Sequence, residues 1–120
     1  MLLPWCSSSL HADPFHSGTY ATNYVQGCQQ HNNSYLKMVS GLKHFDAYSV
    51  EDNRAGRSFN ISMFDLWDTF LPQYRLGFVE GGAHATMCSY ASINGVPSCA
   101  NNYLLNEVRD LNTFAFLAIR

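Results

Sequence analysis

Charge is what this sequence has least of. Seven Lys and Arg and nine Asp and Glu among 120 residues make 13% charged, about half the usual share. No basic run exists, so nucleic acid is not an expected partner. No apolar stretch approaches the roughly 18 residues a membrane-spanning helix needs, so a membrane is not expected either. The four cysteines, Cys6, Cys28, Cys88 and Cys99, include no CxxC pair, which argues against a zinc site. No glycine-rich phosphate loop is present: Gly81-Gly82 follows a helical pattern instead of preceding one. Internal repeats and low-complexity segments are absent. The first five residues carry no basic region and only a very short apolar run, and do not read as a signal peptide. No cofactor is expected.

What the chain does have is apolar and aromatic bulk. Hydrophobic residues reach 47% and aromatics 14%, with a net charge of −2. Few charges and many rings suit a chain buried on several sides, or one that binds an uncharged ligand such as a sugar. The length allows one small domain at most. Cys88 and Cys99 flank a turn-rich loop, and two readings stay open: a disulfide in an oxidising compartment, or free buried thiols. Asn32-Asn33-Ser34 and Asn60-Ile61-Ser62 are glycosylation sequons that matter only if the chain is secreted. The compartment is left open, with secretion or a lysosome- or vacuole-like location for a parent protein.

Along the chain, residues 1–16 show no usable period. A helix is expected from Ser17 as N-cap, with Tyr20, Tyr24 and Cys28 on one face. His31 to Ser34 reads as a polar break. Leu36, Met38 and Leu42 alternate into a strand ending at Lys43-His44-Phe45. Residues 49–61 read as loop. Ser62 and Asp65 form a capping box. Phe64, Trp67, Phe70, Leu71, Tyr74 and Phe78 then mark one face of a long helix that Pro72 kinks or splits and Gly81-Gly82 ends. Ala83 to Tyr90 is a second strand and Ser92 to Asn101 a loop. Asn101 or Asn102 caps a short helix through Arg109, and Thr113 to Ile119 has strand character. Alternating helices and strands favour parallel strands with helical crossovers. A closed eight-unit barrel takes about 250 residues, so the chain reads as an internal section of a larger α/β domain.

Several motifs resemble a known family in order. Gly41-Leu42-Lys43-His44-Phe45 with Ala47-Tyr48 is similar to the "KHF-x-AY" strand end of glycoside hydrolase family 3 β-glucosidases and β-xylosidases. Asp65-Leu66-Trp67-Asp68-Thr69-Phe70-Leu71-Pro72 resembles its "DL-x-DTYLPPF" helix. Met87-Cys88-Ser89-Tyr90, Asn94-Gly95-Val96-Pro97 and Cys99-Ala100 resemble "MCSYN-x-x-NGVP-x-CA", and Asn102 to Asn106 continue in register. Upstream, Asp13-Pro14-Phe15, Ser17-Gly18 and Tyr20-Ala21 resemble "EDPYLSGEYA". The resemblance covers residues 13 to about 110. It implies that residues 1–120 are a fragment of the family's N-terminal domain, a partial (β/α)8 TIM-barrel-like α/β fold. It also implies retaining hydrolysis of O-glycosyl bonds in β-glucosides or β-xylosides. The partners implied are a small carbohydrate, the remainder of the barrel and a second domain.

The same resemblance sets the site expectations. The family nucleophile is the Asp of a Ser-Asp pair ending the strand that Thr113 to Ile119 would form. Arg120 stands near that Ser and no Asp follows; the family's acid/base lies in a later domain. No catalytic residue is therefore assigned, and the chain alone is expected to be inactive. Two departures from the family stand upstream: Cys6-Ser7 follow Trp5 where "WGR" is usual, and His11-Ala12 replace Gly-Glu, so a sugar-holding Arg is missing. Substrate-binding residues implied are Lys43 and His44, as hydroxyl partners, with Met87 and Tyr90 packing on the sugar. Each has a blander reading: an exposed Lys beside a core His, and ordinary strand packing. Successive strand residues point to opposite faces, so Lys43 and His44 meet one ligand only if the strand end bends. Asp13 is read as structural, and Asp65 and Asp68 as helix-start acids. Asp46, Glu51 and Asp52 are further carboxylates that Arg54 and Arg57 could pair with, or those arginines could reach ligand. His11, Asp13 and His16 form H-x-D-x-x-H, but no further ligand supports a metal there. Two rival readings remain: a non-catalytic sugar-binding remnant, and a truncated product without function.

Overall fold

The computed structural model describes residues 5–7, 13–30, 35–53 and 55–108. Among these, three strands form a parallel sheet in the order β1-β2-β4: β1 Trp5–Ser7, β2 Gly41–Phe45 and β4 Ala85–Cys88. Trp5 pairs with Gly41, and Gly41 with Ala85. Helix α1, Pro14–Gln29, crosses from β1 to β2. A second helical stretch crosses from β2 to β4. It consists of α2 Met63–Asp65 running into the π-helical turn Leu66–Phe70, then α3 Pro72–Arg75 running into the π-helical turn Leu76–Glu80. Parallel neighbours joined by helices are the barrel unit the alternation predicted. β1 went unread because three residues carry no period; their strand exists only through pairing with β2.

The cap of α1, Asp13, stands four residues before Ser17. The Asp13 side chain accepts from the His16 N–H at 2.9 Å, and Pro14 occupies the first helical position, where its missing N–H costs nothing. Ser17 lies inside the helix and is buried. Ser62 does cap α2: its Oγ accepts from Asp65 N–H at 3.0 Å and donates to the Asp65 carboxylate at 2.7 Å.

The buried face of the second helical stretch is Leu66, Leu71, Tyr74 and Phe78, while Phe64 is 75% exposed. Simple 3.6-residue spacing misplaces its start because Leu71 N–H bonds Leu66 O, five residues back, at 2.9 Å. One such wide turn rotates the following face. Pro72, lacking an N–H, begins α3 after a bend at Leu71.

α1 packs on α3 and its π-helical continuation. A Cβ on Gly18 would collide with Leu76, and one on Gly77 would lie 2.6 Å from Leu42 Cδ1; both glycines permit close backbone approach. Polar side chains of α1 serve the end of the second stretch. Thr22 Oγ1 donates to Leu76 O at 3.0 Å, Gln26 Nε2 to Glu80 O at 2.9 Å, and Gln29 Nε2 to Gly82 O at 2.8 Å. Leu76 O already accepts from Gly81 N–H at 2.9 Å, while the Glu80 and Gly82 carbonyls at the end of the stretch gain donors from α1. Fully buried Gln29 also accepts from Ser40 N–H at 3.1 Å, tying the entry to β2 into the same joint.

Beyond the parallel sheet lies a second, small one, in the order β3-β5-β6: β3 Ser58–Phe59, β5 Ser92–Ile93 and β6 Val96–Pro97. The expected loop at 92–101 is thus partly a hairpin. Its turn residues Asn94 (φ 52°) and Gly95 (φ 82°) both have positive φ, the two-residue Asn-Gly turn whose twist matches paired strands. Within 49–61, Ser58 and Phe59 pair with Ser92 and Ile93. After a 3-10 turn at Ser98–Ala100, Asn101 Oδ1 accepts from Leu104 N–H at 3.2 Å, opening the π-helical turn Tyr103–Glu107. Leu104 and Val108 enter the core with Leu42, Phe45, Val25 and Ile93. The expectations for His31 to Ser34, Arg54 and Thr113 to Ile119 lie outside the described residues.

Candidate functional site

Two buried side chains, Thr86 and Tyr74, hold the end of β2 in place. Thr86 Oγ1 donates to Leu42 O at 2.6 Å, and Tyr74 Oη donates to His44 O at 2.5 Å. The Phe45 ring meets Tyr74 edge-on, centroids 4.8 Å apart at 80°. Lys43 pairs in register with Met87 across the β2–β4 ladder. The next pairing is Phe45 with Cys88, so two steps on β2 face one on β4. This irregularity at His44 is the bend that alternation alone forbids. The Lys43–His44 and Phe45–Asp46 peptide bonds are cis.

At this carboxyl end Lys43 and His44 are half-buried, Met87 is 37% exposed and Tyr90 is 69% exposed. The His44 ring lies 4.6 Å from the Tyr48 ring. The structure therefore sets Lys43 beside Met87, and His44 against Tyr48. Tyr90 lies just past the end of β4. Tyr74 and Tyr48 were legible in sequence only as a helix-face residue and a motif letter. Tyr74 reaches the His44 carbonyl from a distant helix, and Tyr48 meets the imidazole only because the chain turns back just after β2.

Asp46 differs from every other carboxylate described. It is 1% exposed, its Oδ1 accepts from Ala47 N–H at 2.5 Å, and its Oδ2 is buried without a hydrogen bond. Burial pushes its pKa up from 3.8 to about 8, partly offset by the Ala47 N–H. It is a neutral acid at pH 7. Asp13 and Asp65 are helix caps, as above. Glu51, Asp52 and Asp68 are exposed. Arg57 donates to the Asp52 backbone carbonyl at 3.0 Å and stands 5.3 Å over the Phe59 ring. Among the described residues no group of three His, Cys, Asp or Glu side chains is placed to hold a metal ion; His11 lies outside them.

Cys88 and Cys99 form a disulfide, Cα atoms 5.3 Å apart. That decides between the two readings of the pair and ties the end of β4 to the far side of the hairpin.

Parallel strands crossed by helices define a section of a β/α barrel. The comparisons make this specific. The family model described as "Glycosyl hydrolase family 3 N terminal domain" matches residues 4–115, and the chain belongs to that family. The chain is 36% identical over 107 residues to the Aspergillus japonicus protein named "Probable exo-1,4-beta-xylosidase xlnD", covering 84% of this chain and 13% of that one. It is 36% identical over 100 residues to exo-1,4-beta-xylosidase bxlB of Emericella nidulans, covering 80% of the chain and 13% of the relative. Among solved structures, a GH3 exo-beta-xylosidase (XlnD) in complex with a xylobiose aziridine probe superposes with a TM-score of 0.82 at 27% identity, over 89% of this chain and 15% of that one. Beta-glucosidase 3B of Thermotoga neapolitana in complex with glucose gives 0.81 at 25% identity, over 89% and 14%. The fold is thus part of the family's barrel. The chain spans about 13% of the length of the curated relatives it matches.

Proposed function

We propose that this chain supplies part of the sugar-binding wall of a retaining β-glycosidase barrel acting on β-xylosides or β-glucosides. The observation that carries it is the pairing of Lys43 with Met87 at the carboxyl ends of adjacent strands, with the ladder bulged at His44. Lys43 offers three donors and His44 one donor and one acceptor to sugar hydroxyls. Met87 and Tyr90 offer a thioether and a ring to the C–H face of a pyranose. Such contacts hold the sugar while the chemistry is done by two carboxyl groups about 5–5.5 Å apart. The relatives' printed names, a xylosidase and a glucosidase, support this substrate class.

Among the 120 residues there is no Ser-Asp pair, and the buried Asp46 is protonated at neutral pH, a poor nucleophile. The chain alone is therefore expected to show no turnover of aryl β-xylosides. Its role is tested in a chimera, with residues 13–108 replacing the matching segment of an intact family 3 β-xylosidase. Lys43→Ala is expected to lower kcat/KM at least ~100-fold, about 3 kcal/mol. A value within twofold of the parent chimera would refute the assignment.

A further inference from the structure

The sequon Asn60-Ile61-Ser62 lies between β3 and α2. Its middle residue is clamped from both sides. Ile61 N–H donates to Asn94 Oδ1 at 2.8 Å, and Asn94 Nδ2 donates to Ile61 O at 2.9 Å. Ile61 is partly buried against the core, whereas Asn60 and Ser62 on either side are exposed. Extended residues alternate in direction, so turning Ile61 inward turns Asn60 outward. A bulky group on Asn60 would meet solvent, as N-linked glycans require.

A second observation speaks for the compartment. The Cys88–Cys99 disulfide braces the same small sheet that holds the sequon. Disulfides of this structural kind form and persist in oxidising environments such as the endoplasmic-reticulum lumen and outside the cell. In eukaryotic cells the lumen that oxidises the cysteines also attaches N-linked glycans.

We infer that Asn60 is an N-glycosylation site on the rim at the carboxyl end of the barrel strands. The donor is an oligosaccharide carried on a lipid pyrophosphate. Its C1–O bond to phosphate breaks, a C1–N bond to Asn60 Nδ2 forms, the amide gives up one proton, and the lipid pyrophosphate leaves. Once the chain has folded, the attached sugar leaves the loop's bonds intact, because Asn60 is exposed and Ser62 keeps its bonds to Asp65.

The test directs the full chain to the secretory pathway of eukaryotic cells with a cleavable leader. The secreted product is digested with peptide N-glycosidase in heavy-oxygen water and its peptides are weighed. The expected result is conversion of Asn60 to heavy-labelled Asp. Asn60→Gln is expected to remove one mobility step on a gel, Ser62→Thr to retain it, and Asn32→Gln to leave the Asn60 label intact. Recovery of the Asn60 peptide unmodified, from secreted chain whose Cys88 and Cys99 map as a disulfide, overturns the inference. So does an unchanged mobility for Asn60→Gln.

Discussion

The tip of β2 and the β3–β5–β6 sheet are built differently. The tip, Lys43 to Ala47, is held by groups from far along the chain: Tyr74 on the His44 carbonyl, Thr86 on the Leu42 carbonyl, and Ser89 N–H on the Phe45 carbonyl at 2.6 Å. It encloses an acid with an unbonded oxygen. The small sheet adds local chemistry to its long-range pairing: an Asn-Gly turn and a disulfide spanning 11 positions stand beside a clamp between Asn94 and Ile61, 33 positions apart. The first region carries the burial of Asp46 as a cost to stability. The second has little core of its own, and a covalent link substitutes for it.

The largest effect separating the two regions is expected at Asp46. Its carboxyl stays protonated in the folded state up to about 8, whereas in the unfolded chain it ionises near 3.8. Between those values the unfolded state binds fewer protons, so stability falls as pH rises through that window and levels off above it. Wild type should lose several kcal/mol relative to Asp46→Asn between pH 4 and pH 8. Urea unfolding of both proteins across that range reads the difference; parallel curves would mean the carboxyl is not buried as described. The Asn variant keeps an acceptor for Ala47 N–H and should be the more stable protein at pH 8.

Next comes the covalent brace of the small sheet. Cys99→Ser opens the loop between Cys88 and Cys99 and should cost about 3 kcal/mol, read as a lower denaturation midpoint. The loss should be independent of pH from 5 to 8, unlike that at Asp46. A pH-dependent loss would mean that the two regions are not separate in energy.

The smallest effect is Tyr74→Phe. It removes the hydroxyl from the His44 carbonyl and leaves the ring packed on Phe45. A cost of about 1–3 kcal/mol is expected, since a buried carbonyl loses its donor. Hydrogen exchange should speed at β2 amides and stay unchanged in β3–β5–β6. Equal acceleration in both would join the regions into one cooperative unit.

Much of the architecture was legible beforehand because it rests on local chemistry. Ser62 and Asp65 three residues apart cap a helix wherever they occur, and Gly81-Gly82 ends one. Alternating helices and strands admit few arrangements other than parallel strands with crossovers. Where local rules mislead, a distant group or a backbone detail is responsible. Asp13 outcompetes Ser17 as a cap because Pro14 can start the helix there. A wide turn at Leu66–Phe70 moves the apolar face away from Phe64. The hairpin at Asn94-Gly95 carried its own signal, and its length of two residues per strand kept it from view.

For the candidate site the division is sharper. Lys43, His44, Met87 and Tyr90 stood out in the sequence through motif order, because residue identity is written in the chain. That Lys43 sits beside Met87, that His44 meets Tyr48, that Cys88 bonds Cys99 and that Asp46 is shut away from water were decided only by tertiary structure. The Lys43–Met87 pairing depends on the register of strands more than forty residues apart, and the others on how the strand ends and the hairpin fold around it; register is set by how buried faces pack, which no short stretch of sequence contains.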